Sequence, residues 1–132
     1  MTLSPILACS SVPRAIEFYT QKLGFELAWS MPPNDKGETE FAGVKLADAE
    51  IMLGVTEGFV KAADLDKRGT GIQIYINLPD SVSIDEIYAK AQQQGAVITR
   101  ELQSREWGER VFTVNDVDGY NLMFAQQSPK KG

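Results

Sequence analysis

The chain of 132 residues runs through the same order of elements twice, and that repetition constrains its fold more than any other feature. In each half an apolar segment leads into a stretch with apolar residues at helical spacing, a glycine ends that stretch, and three strand-like segments follow. In the first half Leu3–Cys9 reads as a strand, and Ser11 is an N-cap with Pro13 in the first helical turn, where proline loses no hydrogen bond. Val12, Ala15, Ile16, Tyr19 and Leu23 line one helix face, and Gly24 stops the run. Strands are predicted over Phe25–Met31, Thr39–Leu46 and Glu50–Val55, with Pro32–Gly37 breaking the first and Ala47–Ala49 turning between the others.

The second half repeats this order. Gly71–Asn77 is a strand, Ser83 and Glu86 form a capping box ahead of Ile84, Ile87, Tyr88 and Ala91, and Gly95 closes the helix. A strand at Ala96–Glu101 precedes the hairpin of Arg105–Phe124, which turns at Asp116–Gly119, where glycine accepts positive φ at little steric cost. Local likenesses support a duplication: Ile16-Glu17-Phe18-Tyr19 beside Asp85-Glu86-Ile87-Tyr88, and Ile51-Met52-Leu53 beside Leu122-Met123-Phe124. The polar stretch Thr56–Gly71 reads as a connector with at most a short helical turn. The predicted architecture is α+β, with two βαβββ modules, about 1–58 and 70–126, joined by a connector at 59–69 within one domain of 1–132. Each curved mixed sheet carries its helix on the convex side, leaving a concave face towards a cleft.

Composition removes several function classes. A formal charge of −5 argues against nucleic acid, whose phosphates select basic faces. It suits either a cationic ligand or simple solubility. No apolar run approaches the roughly 20 residues of a membrane span, and the N-terminus lacks the pattern of a signal peptide, so the chain reads as soluble and cytoplasmic. With no histidine and a single cysteine, there are no imidazole ligands for the usual transition-metal sites and no neutral-pH imidazole base. Cys9 is either a buried strand thiol or a reactive one.

The run Val12-Pro13-Arg14-Ala15-Ile16-Glu17-Phe18-Tyr19, followed by Leu23-Gly24-Phe25-Glu26, resembles the first-helix signature of the vicinal oxygen chelate superfamily, which includes glyoxalases, extradiol dioxygenases and bleomycin-resistance proteins. Trp107-Gly108 with Arg110, Phe112 and the Asp116–Gly119 turn resembles that superfamily's closing hairpin, most closely in its bleomycin-resistance-like branch. The similarity spans Leu3 to Gln126. It implies paired modules around a ligand cavity, usually in a homodimer. In metal-dependent members the ligands, mostly His and Glu, come from inward positions of the first and last strands of the modules. On this chain those positions fall on Ser4, Met52, Gly71 (with Gln73 the next inward side chain) and Met123, none of which supplies a charged donor.

The sequence therefore points to a metal-free, cofactor-free site. Its expected ligand-binding residues are Trp29, Met52, Gln73, Tyr75, Trp107, Arg110, Phe112 and Met123. Met52 and Met123 either give a soft, deformable wall or are plain core filling. Trp29 and Trp107 either stack on a ligand or pack internally. Arg110 either meets a ligand anion or holds Glu106, Glu109 or a strand carbonyl. The segment Met31–Glu40 is either a flap or a hairpin connection. The expected function is sequestration of an aromatic or cationic small molecule, with no membrane or nucleic-acid partner and no catalytic residues. The alternatives are a glyoxalase-like lyase, isomerase or dioxygenase, in which Tyr75 or Glu109 would have to serve as acid or base, and an accessory domain whose groove takes a protein segment.

Overall fold

The computed structural model describes residues 1–56 and 60–127. Residues 57–59, at the start of the expected connector, lie outside the described residues. The strands are β1 (Ile6–Cys9), β2 (Glu26–Ser30), β3 (Phe41–Leu46), β4 (Ala49–Val55), β5 (Gln73–Asn77), β6 (Val97–Ser104), β7 (Glu109–Asn115) and β8 (Asn121–Gln127). Helix α1 (Val12–Glu17) continues into wider π-helical turns over Phe18–Lys22, α2 spans Ile84–Gln93, and the connector contains one short 3₁₀ segment, Ala62–Lys67. The strands form two four-stranded sheets in the orders β1-β4-β3-β2 and β5-β8-β7-β6. In each sheet the strand before the helix pairs parallel with the last strand of its module, and the other pairs are antiparallel. This is the βαβββ order, twice.

The caps form as the residue types dictate. Ser11 Oγ accepts from Arg14 N, and Ser83 Oγ accepts from Glu86 N at 3.3 Å. Gly24 and Gly95 leave the helices at φ 79° and 76°, a left-handed conformation that a side chain would oppose. The tripeptide likeness between the halves also has a structural basis: Met52 pairs with Ile6 of β1, and Met123 with Tyr75 of β5. Ile51 and Leu53, like Leu122 and Phe124, point the opposite way into the core.

That core lies on the helix-covered sides of the sheets and is continuous between the modules. Tyr19, Leu23, Val44, Leu53, Ile84, Phe112, Leu122 and Phe124 are all fully buried. Phe25 meets Phe124 edge-on at 6.4 Å, and Phe124 stacks on Phe112 at 5.0 Å. Polar contacts complete the junction, and most of them converge on the Asp116–Gly119 turn. Asp116 Oδ1 accepts from the backbone N–H groups of Asp118 and Tyr120, while its Oδ2 accepts from the Tyr19 hydroxyl at 2.8 Å. Asp118 Oδ1 accepts from Ser10 N and from Arg68 at 2.9 Å, with both charged side chains largely buried. The Tyr120 hydroxyl bonds the backbone of Ala8. The second module's turn is thereby tied to the first module's β1 and helix.

Cys9 is buried, and its thiol is pushed up to about 12, chiefly by burial. The buried-thiol alternative is therefore the one realised. Folded protein at about pH 8 should resist iodoacetamide and react fully only in denaturant, because the thiolate is the nucleophile. Burial also raises the Asp116 carboxyl above its ordinary 3.8, against the lowering effect of its hydrogen bonds. A raised native value means that the folded state binds the proton more tightly than the unfolded state. This group's stabilisation is therefore complete below about pH 4 and is lost as pH rises through the native value. Urea midpoints measured across that range should show the wild type losing stability relative to Asp116→Asn as pH increases.

Candidate functional site

Strand alternation gives each sheet a second face, away from the helix, and among the described residues no helix packs over it. In the first module this open face carries Ile6, Trp29, Phe41, Gly43, Glu50 and Met52, as the register of β1 to β4 requires. In the second it carries Gln73, Tyr75, Glu109, Val111, Thr113, Asn121 and Met123. Edge strands β1 and β5 approach each other, so the two open faces meet along a seam. A cavity of about 480 Å³ lies there, lined by Ser4, Pro5, Asp48, Glu50, Ile74 and Tyr75 among others. A second cavity, of about 570 Å³, continues from Pro5 and Ile74 towards Ile72 and the connector residues Lys61, Lys67 and Arg68.

Trp29 lies against Phe41, with ring centroids 5.3 Å apart, and its Nε1 donates to Glu50 Oε1 at 3.4 Å. Gly43 makes room for that indole: a Cβ there would lie 2.6 Å from Trp29 Cε2. The second module has a related but tighter arrangement. Glu109 is only 8 % exposed, and its carboxylate accepts from the Tyr75 hydroxyl at 2.6 Å and from Trp107 Nε1 at 3.4 Å. Tyr75 is raised to about 12, first by that hydrogen bond and then by desolvation, so at neutral pH it remains a donor. Trp107 sits in the turn before β7, which Gly108 makes possible at φ 88°, and Arg105 lies 5.4 Å from its ring centroid.

Of the eight residues expected at the site, six lie on the open faces or at their rim: Trp29, Met52, Gln73, Tyr75, Trp107 and Met123. Gln73 is tied to Asn121 by a 2.6 Å hydrogen bond. The inward placement of Arg110 and Phe112 does not hold. Phe112 is fully buried against Tyr88 of α2 and Phe124, and Arg110 pairs with Asp85 of α2 and donates to Ser104. The reason is phase. Val111 to Val114 are all buried, so alternation along β7 does not show which parity faces the helix. Only the pairing of Phe112 with Phe124 and of Thr113 with Met123 assigns the faces. Glu50 as an indole partner and Glu109 as a shared acceptor were missed as a pattern. Each lies an even number of residues along its strand from an open-face neighbour, Met52 or Val111. Segment Met31–Glu40 forms a hairpin connection organised by Asn34, whose Oδ1 accepts from Lys36 N and Glu38 N and whose amide donates to Glu40.

The positions that carry metal ligands in other such folds present a hydroxyl, two thioethers and an amide at Ser4, Met52, Met123 and Gln73. Among the described residues no three His, Cys, Asp or Glu side chains converge. This donor set does not fit a hard or borderline dication, which needs charged oxygen, imidazole or thiolate.

Two βαβββ modules with open faces meeting along one seam define a paired-module class of proteins. Within it, the chain belongs to the Glyoxalase/Bleomycin resistance protein/Dioxygenase superfamily, whose sequence model matches residues 3–124. Among solved structures it is similar to TioX from Micromonospora sp. ML1, at 22% identity and TM-score 0.75, over 100% of both chains. It also resembles a superfamily member from Sphaerobacter thermophilus, at 23% identity and TM-score 0.70, over 96% of this chain and 97% of that one. A third similar structure, from Alicyclobacillus acidocaldarius, has 17% identity and TM-score 0.70, over 99% and 94%. At these identities the likeness concerns the fold. No curated protein matches the sequence.

The packing of Trp29 yields a direct test. Gly43→Ala should push the indole off β3 and break its contact with Glu50. Tryptophan emission should shift to the red while the urea midpoint changes little, since a side chain rather than backbone must give way.

Proposed function

We propose that this protein is a metal-free binding protein of the bleomycin-resistance type, which sequesters an aromatic or cationic small molecule against its open sheet faces. The observation that carries this reading is the chemistry on and beside the open faces: thioethers at Met52 and Met123, an amide at Gln73 and a hydroxyl at Ser4, where a chelate would need charged donors, with indole and phenol groups on the same faces. Of these residues Ser4 and Tyr75 line the cavity. Apolar and aromatic walls supply affinity by area, and a few polar groups orient the ligand. The cavity of about 480 Å³ is of the size a small organic molecule occupies.

We also propose that the working form is a homodimer. Ile6, Ile72, Tyr75 and Trp107 remain half or more exposed on or beside the seam, and a second copy placed over the open faces would cover them. The enzyme alternative has one pair in its favour, the hydrogen-bonded Tyr75 and Glu109. A phenol held near 12 suits donation rather than proton abstraction, so that reading would need Glu109 as the base.

Equilibrium titration against a panel of planar and cationic natural products should give saturable quenching of tryptophan fluorescence for at least one compound, with sedimentation showing a dimer. Trp107→Ala should weaken that binding by roughly tenfold or more, the usual loss on removing a stacked aromatic anchor. A panel with no saturable response, or a stoichiometric divalent ion found by elemental analysis of purified protein, would reverse the reading.

A further inference from the structure

The carboxylate of Glu109 is buried, and among the described residues it has no counter-ion. Among the described residues, ion pairs join Lys67 to Asp64, Arg68 to Asp118 and Arg110 to Asp85, and none reaches Glu109. Its side-chain partners are the neutral donors Tyr75 and Trp107, which stand over it at 52% and 67% exposure while it is at 8%. Arg105 lies over the indole of Trp107 and makes no ion pair with Glu109. A buried carboxylate held only by neutral donors gains strongly from a charged donor. The seam has the same polarity. Tyr75 lines the cavity of about 480 Å³ together with Asp48 and Glu50, and no Lys or Arg is among its lining residues. Lys61, Lys67 and Arg68 line the second cavity, and on the first module's open face Lys45 stands opposite Glu50 across the β3–β4 pair.

We propose that Glu109 is the charge-selecting residue of the open face, and that its ligand carries an amidinium or protonated amine on a planar ring. The cationic nitrogen takes Glu109 Oε2 in place of the Tyr75 hydroxyl, and the ring lies against Tyr75 and the face of Trp107 that Arg105 leaves open. Asp48 and Glu50, across the cavity, add to the attraction on approach. This assignment rests on the small-molecule reading above and narrows it from "aromatic or cationic" to both at once.

The test uses three probes of one shape and different charge: β-naphthamidine, β-naphthamide and β-naphthoate, titrated into full-length protein by calorimetry. The amidine should bind roughly tenfold or more tightly than the amide, as a charged hydrogen bond implies. The carboxylate should bind most weakly. Glu109→Gln should abolish the preference for the amidine over the amide. Tyr75→Phe frees Oε2 and should keep or increase the preference, so it decides the matter if Glu109→Gln does not fold. Equal affinity for amide and amidine, a preference that survives Glu109→Gln, or one lost in Tyr75→Phe would each overturn the assignment while leaving the binding reading intact. Failure of all three probes to bind would likewise overturn the assignment, the binding reading being decided by the natural-product panel.

Discussion

The buried turn Asp116–Gly119 is what the rest of the structure depends on. Two carboxylates are taken out of water there, and such burial is tolerated only where the charge is hydrogen-bonded or paired. Tyr19, two backbone N–H groups, Ser10 N and Arg68 bond both Asp116 oxygens and Asp118 Oδ1, while Asp118 Oδ2 is buried with no partner among the described residues, and Tyr19, Ser10 and Arg68 come from outside the second module. Charges buried this way lose their partners if the modules shift, so the junction specifies one relative placement as well as stabilising it. The continuous apolar core supplies area but little direction. The polar turn supplies direction, and it sets β1 alongside β5.

From that placement the site follows. Each sheet spends one face on the core, under its helix, and β1 and β5 bring the two remaining faces to a common seam. The faces carry residues of mixed chemistry: Met52 and Met123 one strand in from β1 and β5, Trp29 over Phe41, and Tyr75 and Trp107 over a buried Glu109. Indole and phenol groups donating to carboxylates keep large flat side chains in fixed poses, with Trp29 against Phe41 and Arg105 over one face of Trp107. Such a surface meets a ligand with little ordering left to be done. Lone methionines between them tolerate varied shapes.

The fold was legible in the chain because its signals are local and mutually consistent. Ser11 and Ser83 cap helices, Gly24 and Gly95 end them, and the turn at Asp116–Gly119 sets a hairpin. The site was legible wherever a strand had one plainly apolar parity. In β4 and β8 the residues flanking Met52 and Met123 are large core aliphatics or aromatics, so the methionines must face the other way. It was not legible in β7. There Val111, Phe112, Thr113 and Val114 are all buried, and a strand buried at both parities has no alternation to read. Arg110 and Phe112 were accordingly assigned to the wrong side, and Glu109, on the right one, was not recognised as a shared acceptor.

The amino-acid sequence by itself determined the element order, its repetition and the absence of imidazole, because these depend on residue type and short-range spacing, and the family resemblance it carries placed uncharged residues at the chelate positions. The tertiary structure alone decided which carboxylates meet which aromatics, that Arg110 pairs with Asp85, and that the two open faces share a seam. Those outcomes join residues far apart in the chain, such as Tyr75 and Glu109 or Tyr19 and Asp116. Contacts of that kind depend on strand register and module placement, and both are set by the cooperative burial of the whole core and not by any single segment.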